Sequence, residues 1–332
     1  MTPNLSIAGI NLEPGTRRRH RMSLVELADG TEVSIPLDII HGGQPGPVLY
    51  LGAAIHGDEV NGVGILFRAL EDINPIELCG SVVAVPVQHP LSFQADHRLP
   101  ISQFIKSPLD QAPADAWTVF PGTKNGNLAQ ILAATLFELI VQCDFAIDIH
   151  TPTRGGRYVP IAILPSANLG DIQQRVVDMA HAFGSGWIMN GHTGIYVADG
   201  ILCVEATRAG IPCFTFETGE GGRLEEPLIN QGAGYVQNVM RWLNMIDGEL
   251  VPAQTSYLMS DFLGLRAERG GLLLPHAELG ELINTGDKLC SIVNIYGDEI
   301  EIITAPTDGV FVRATTLSTV SRGERVATLG LL

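Results

Sequence analysis

An imidazole and a carboxylate three positions apart, His56 and Glu59 in the stretch AAIHGDE, follow directly on an apolar run. Side chains at i and i+3 of a turn entering a helix can face one point, so the pair suits one half of a metal site. A catalytic zinc site needs a third protein ligand and a position left open. His150 offers that ligand: it ends CDFAIDIH and is followed at once by the turn residues TPTRGG. A fourth residue, Glu217, closes CFTFE and passes into the glycine-rich TGEGG. A carboxylate there can act as general base toward water activated by a metal. Plainer readings stand beside these. A lone His at a strand end is more often a hydrogen-bonded structural residue, and Glu217 can equally cap a helix or pair with an arginine. The matching position of His150 favours the metal, and an acid ending an otherwise apolar strand favours the base.

The elements that must hold these residues are legible as periodicity. PVLYLGAAI (47 to 55) is apolar throughout and reads as a strand buried on both faces, and Val60, Val63, Leu66, Phe67 and Leu70 then recur at helical spacing. Further strands are predicted at SVVAVPV (81 to 87), FAIDIH, VPIAIL (159 to 164), GWIMN and CFTFE, with helices near 59 to 72, 126 to 142, 169 to 183 and 229 to 246. That alternation predicts an α/β fold, a mainly parallel mixed sheet flanked by helices, with His56, Glu59, His150 and Glu217 at strand C-terminal ends. The stretch from Pro86 to Lys124 lacks periodicity and contains Pro90, Pro100, Pro108, Pro113 and Pro121, with disorder over part of 100 to 115 as the plainer reading. It is too long for an ordinary connection and is expected to form one wall of an active site.

After Trp242 the pattern changes to short strands and turns, which predicts a catalytic domain over 1 to 250 and a smaller β domain over 257 to 332. The latter carries a quasi-repeat: GGLLLP then NTGDKL, and DGVFVR then SRGERV. With the APTDG turn it looks like the barrel-sandwich folds related to biotinyl and lipoyl domains. Carrier domains of that kind need a lysine at an exposed hairpin tip. The region's lysine, Lys288, sits inside the framework GDKL, so a structural or pocket-rim role is expected of it.

Composition narrows the partners. Of 332 residues 45% are hydrophobic and 17% charged, ample for a core. A net charge of -16, from 36 acidic and 20 basic residues, disfavours nucleic acid and anionic membrane as partners. No apolar run reaches transmembrane length, and the start has no signal-peptide h-region, so a cytoplasmic location is expected. The five cysteines show no CxxC spacing and read as buried thiols in a reducing compartment.

The ordered series HGDE, His89-Pro90, Arg98, VFPG at Val119 to Gly122, DIHT at Asp148 to Thr151 and ETG at Glu217 to Gly219 resembles the succinylglutamate desuccinylase/aspartoacylase family, whose members share the zinc carboxypeptidase fold. The resemblance implies His56, Glu59 and His150 as ligands of one Zn2+ per chain and Glu217 as the general base. Arg98 matches the family arginine that polarises the scissile carbonyl, a task suited to a permanent charge with rigidly held donors. Asp148 shares the strand face of His150 and is placed to accept the ring N–H of a liganding histidine.

Two departures matter. The family usually carries an Asn-Arg pair before the FPG that holds a substrate carboxylate, and Trp117 and Thr118 stand there instead. Either another arginine takes the carboxylate, Arg154 and Arg157 being nearest in sequence, or the substrate has none at that position and offers Trp117 an apolar or cationic group. The second is His89 where Asn is common; it is not expected to bind metal. The expectation is a zinc-dependent hydrolase, a homo-oligomer, deacylating a small N-acyl amino acid or N-acylated amine. The alternatives are a carboxypeptidase or amidase acting on a short peptide, and a metal-binding protein that has lost turnover.

Overall fold

The computed structural model of this chain describes residues 2–100, 115–165 and 169–332. A hairpin of β1 (Leu5–Ile7) and β2 (Ile10–Leu12) precedes β3 (Thr16–Glu26), β4 (Glu32–His41), β5 (Gln44–Ala53), β6 (Cys79–Val85), β7 (Phe145–His150), β8 (Gly156–Ile163), β9 (Trp187–Met189) and β10 (Cys213–Glu220). Helices alternate with them: α1 (Asn61–Leu70), α2 (Pro90–Ala95), α3 (Leu128–Ile140), α4 (Ile172–Phe183), α5 (Leu202–Arg208) and α6 (Glu226–Trp242). Local chemistry sets their starts. In α3, Asn127 accepts from the Gln130 amide at 3.1 Å and Gln130 accepts from the Asn127 amide at 3.0 Å, a reciprocal cap. The C-terminal part is β throughout: β11 (Tyr257–Met259), β12 (Asp261–Arg266), β13 (Gly271–Pro275), β14 (Leu282–Ile283), β15 (Lys288–Val293), β16 (Glu299–Thr304), β17 (Gly309–Thr315), β18 (Thr319–Val320) and β19 (Arg325–Leu331).

The main sheet runs β12-β19-β17-β8-β10-β7-β5-β6-β4-β3. Its centre is parallel, β7 pairing with β5 and β10 and β5 with β6, while β8 against β10 and β4 against β6 are antiparallel. The sheet is therefore mixed, and the expected α/β class holds. β3 was not foreseen: TRRRHR reads as a charged cluster, yet it forms an edge strand whose Arg17 pairs with Asp38 of β4.

A side-chain period of two sorts the central strands into two layers. Leu49, Leu51, Ala53, Ile147, Ile149, Phe214 and Phe216 pack with the apolar faces of α1, α4 and α6. Tyr50, Ala146 and Cys213 pack with α3 and α5 on the other side. By the same alternation Asp148, His150 and Glu217 belong to the α3/α5 side, and the register sets Glu217 beside His150.

The C-terminal strands form two sheets. β16-β15-β13-β18 make a separate four-stranded sheet, while β17, β19 and β12 extend the main ladder. The repeat halves β13–β15 and β17–β19 are both antiparallel pairs but lie in different sheets, with Leu289, Phe311 and Leu329 buried in one cluster. Hydrogen bonding crosses from one part of the chain to the other where β17 pairs with β8 and β11 with β9. Lys288 lies on β15 and pairs with Glu299 at 2.9 Å.

Within the aperiodic stretch, α2 and a 3-10 turn at Ala116–Thr118 are formed, and 101–114, with Pro108 and Pro113, lies outside the described residues. Among the described residues no helix is long and apolar enough to cross a membrane.

Candidate active site

His56 and Glu59 lie in the turn between β5 and α1, which begins at Asn61. Ala54 takes a left-handed φ of 48°, an uncommon conformation for a residue with a side chain, and it swings the chain off the strand end. The new direction is held by Gln88 and His89, whose amides donate to the Ala53 and Ala54 carbonyls at 2.8 and 3.1 Å. A Cβ at Gly57 would collide with the Ser92 carbonyl, so a glycine there is what lets α2 close over the turn.

His56 Nδ1 lies 2.7 Å from Glu59 Oε1, and His150 Nδ1 lies 2.8 Å from Glu59 Oε2. The three groups are buried, and one donor atom from each falls within 4.8 Å of the others. Their far sides are also held. His56 Nε2 meets Asp115 at 3.1 Å, and His150 Nε2 meets Asp148 at 2.8 Å. Asp148 further accepts from the Trp117 indole N–H at 3.1 Å and from Gln88 at 3.2 Å.

With carboxylate oxygens at both nitrogens, each ring fits either an imidazolium or a ring whose Nδ1 proton has been exchanged for a metal. Burial works against charging both rings but is outweighed, by Glu59 and Asp115 at His56 and by Asp148 and Glu59 at His150, and both pKa values rise. Burial likewise opposes ionisation of Glu59, yet the two histidines hold it down at about 2. Two Nδ1 donors and an ionised carboxylate, oriented from behind by two more carboxylates, are a donor set that could hold a divalent metal ion.

Glu217 borders this cluster. Its Oε1 accepts from the Tyr196 hydroxyl at 2.7 Å, and its Oε2 is buried with no hydrogen-bond partner among the described residues. Burial first, and then the charge of Glu59, push its pKa up to about 7. Arg98 sends Nε and Nη2 to Asp115 Oδ2 at 3.0 and 2.8 Å, with Nη1 3.7 Å from Glu59 Oε1. Trp117 is buried, its ring 5.8 Å from that of His56, 5.3 Å from His150 and 5.5 Å from Tyr196. The two other expected arginines are already engaged: the Arg154 guanidinium grips Asp96, and Arg157 meets Glu225 at 2.7 Å. His89 caps α2, accepting from the Ser92 amide at 3.4 Å. Burial and nearby His56 push its pKa down to about 4.

Asp115 and Tyr196 were not singled out in the sequence. Asp115 carried one usable signal, an acid at the cap of the Ala116–Thr118 turn, where it accepts from the Trp117 amide at 3.1 Å. Tyr196 sits in NGHTGIYVADG, where no periodicity marks it.

With this geometry in view, the comparisons with known proteins are specific. The succinylglutamate desuccinylase/aspartoacylase catalytic domain matches residues 45–243. The N-alpha-acetyl-L-2,4-diaminobutyric acid deacetylase of Halomonas elongata is 22% identical over 305 residues, covering 90% of this chain and 85% of that protein. Among solved structures, the product-bound ectoine utilization protein EutE of Ruegeria pomeroyi superposes with a TM-score of 0.83 at 22% identity, over 97% of this chain and 98% of the other. A succinylglutamate desuccinylase/aspartoacylase of Rhodobacter sphaeroides gives 0.79 at 23% identity, over 95% of each chain. Because the catalytic-domain match spans more than half of its length, this chain belongs to the succinylglutamate desuccinylase/aspartoacylase family.

Proposed function

We propose that this protein is a zinc-dependent hydrolase that removes the acyl group from an N-acyl amino acid or N-acylated amine. The observation that carries the reading is Glu217, buried beside the His56–Glu59–His150 cluster with one oxygen held by Tyr196 and the other unpartnered. A purely structural zinc site closes with four protein ligands and has no use for such an acid. The family membership and the deacetylase activity named for the Halomonas relative support the same reaction class.

His56, Glu59 and His150 would hold the ion, and two nitrogens with one oxygen suit zinc. Zinc there supplies Lewis acidity, polarising an amide carbonyl and acidifying water. Asp115 and Asp148 keep each imidazole in the tautomer that presents Nδ1. Glu217 takes a proton from the attacking water at Oε2 and returns it to the departing amine. Tyr196, donating to Oε1, fixes which oxygen does this. Arg98, with its charge permanent and its orientation set by Asp115, donates to the oxyanion of the tetrahedral intermediate. Trp117 walls the cluster and steadies Asp148.

The test is turnover of N-acetyl, N-succinyl and N-formyl amino acids and diamines by zinc-loaded protein. Release of the acid and the free amine from at least one is expected. A zinc-loaded protein inert toward all of them, or one that cleaves only peptides, contradicts the reading.

A further inference from the structure

Arg313 is a half-buried cation that no carboxylate pairs with among the described residues. It lies on β17 directly opposite Tyr158 of β8. Its Nη2 presses against Gly156, where a Cβ would collide with it, so a glycine is what admits the guanidinium. Its Nη1 is buried with no hydrogen-bond partner among the described residues. Arg17, Arg98 and Arg157, also half-buried, each pair with a carboxylate, Asp38, Asp115 and Glu225. A half-buried guanidinium with one enclosed, unpartnered N–H carries a desolvation cost that an anion arriving from outside would offset.

The surroundings say where that anion would sit. One group of neighbours is Tyr158, Tyr196 and Glu217, and another is Arg325, a second guanidinium. The Tyr158 and Tyr196 phenols lie close enough to act on each other electrostatically. Tyr196 donates to Glu217, and Tyr158, opposite Arg313, is its neighbour, so the two phenols lie between Glu217 and Arg313. Tyr158 is also opposite Gly219 of β10, which puts Arg313 two strands from β10, about 10 Å at the usual strand spacing and within the span of a small molecule. Beyond it opens a cavity of about 580 Å3 lined by Arg313, Arg325, Arg154 and Arg266, with Glu324 as its one acid. Glu324 is itself turned to the Ser321 amide. In a chain of net charge -16, this is a local reversal of sign that attracts small anions.

We infer that Arg313 receives the carboxylate of the substrate, so that an N-acyl amino acid with a free acid group, rather than an N-acylated amine without one, is the substrate class. The inference rests on the deacylase reading. A guanidinium presents paired donors in the geometry of a carboxylate, and its charge does not depend on pH.

The test uses zinc-loaded protein with N-α-acetyl-L-2,4-diaminobutyrate and its carboxamide. Wild type should favour the acid by about 10- to 150-fold in kcat/KM, the range for one charge-assisted contact. In Arg313→Gln that preference should vanish through a rise in KM for the acid, and Arg313→Lys should recover part of it. A preference that survives Arg313→Gln, or none in wild type, overturns the proposal while leaving the deacylase reading intact. Should wild type hydrolyse neither compound, the deacylase reading is judged on the wider panel of N-acyl substrates. Calorimetry in a Glu217→Gln background then decides on Arg313: acid binding lost on adding Arg313→Gln supports it, and binding that persists or never occurs overturns it. Unliganded Arg313→Gln should melt no lower than wild type, since it discards an unpaired charge. A clearly lower Tm would make Arg313 a structural cation and overturn the assignment.

Discussion

The two sides of the site treat charge in opposite ways. Around His56, Glu59 and His150 each imidazole nitrogen, and each oxygen of Glu59, Asp115 and Asp148, has a partner from within the chain. Where β17 meets β8, Arg313 keeps a buried N–H without one among the described residues, and its charged neighbour Arg325 repels it. The first arrangement fixes ring orientations before any ligand arrives, which is what pre-organised chemistry requires. The second stores an unmet interaction that a ligand can complete. Glu217 stands between them, one oxygen held and one unpartnered. The difference teaches that the pre-organised side should be sensitive to any lost partner, whereas the basic side should be sensitive to the charge of the ligand.

The largest effect is expected at the cluster itself. His150→Ala removes a donor and leaves Asp148 and Glu59 without their shared partner, so zinc content and turnover should both fall to background in elemental analysis and assay. Full zinc occupancy in that variant would break the contrast at its root. Next in size is Arg98→Lys, which keeps the charge but loses the fork that meets Asp115. A kcat lower by about 10- to 1000-fold with zinc retained is expected, and an unchanged kcat would move the oxyanion role to another arginine such as Arg154 or Arg157. Asp115→Asn should then weaken zinc binding by about 10- to 100-fold in competition with a chelator, the usual consequence of losing the carboxylate behind a metal-bound histidine. Equal affinity would mean that Asp115 serves only Arg98. The smallest effect belongs to Trp117→Phe. Asp148 loses one of three donors, so a stability loss of about 1 kcal/mol is expected in denaturant unfolding. A much larger loss would show that the indole fills space no other ring can take.

What the sequence made legible follows from where each residue sits. His150 ends β7, His56 follows β5 in the turn and Glu217 lies three residues before the end of β10; a strand buried on both faces announces itself as an uninterrupted run, so a polar residue near or just past its end stands out. The parallel core and its main helices were readable for the same reason. Asp115 was harder because the segment that delivers it has no period, and its role exists only once that segment folds across β7 and the β5–α1 turn. Tyr196 was hidden in a loop of glycines and small residues. Arg313 looks in VFVRAT like any outward-facing strand residue, and only the pairing of β17 with β8 sets it opposite Tyr158. That pairing joins residues 155 positions apart, beyond anything local periodicity encodes. β3 failed differently, since an edge strand rich in arginine lacks the apolar alternation by which strands are found.

The most direct test of the central claim is a paired measurement on Glu217→Gln: zinc per chain by elemental analysis, and kcat on the best N-acyl substrate of the wild type. The account predicts about one zinc retained and kcat lowered by at least ~100-fold, because the amide cannot accept the water's proton while the three ligands are untouched. Loss of zinc together with activity would make Glu217 a ligand, and undiminished turnover would place the base elsewhere; either result contradicts the account.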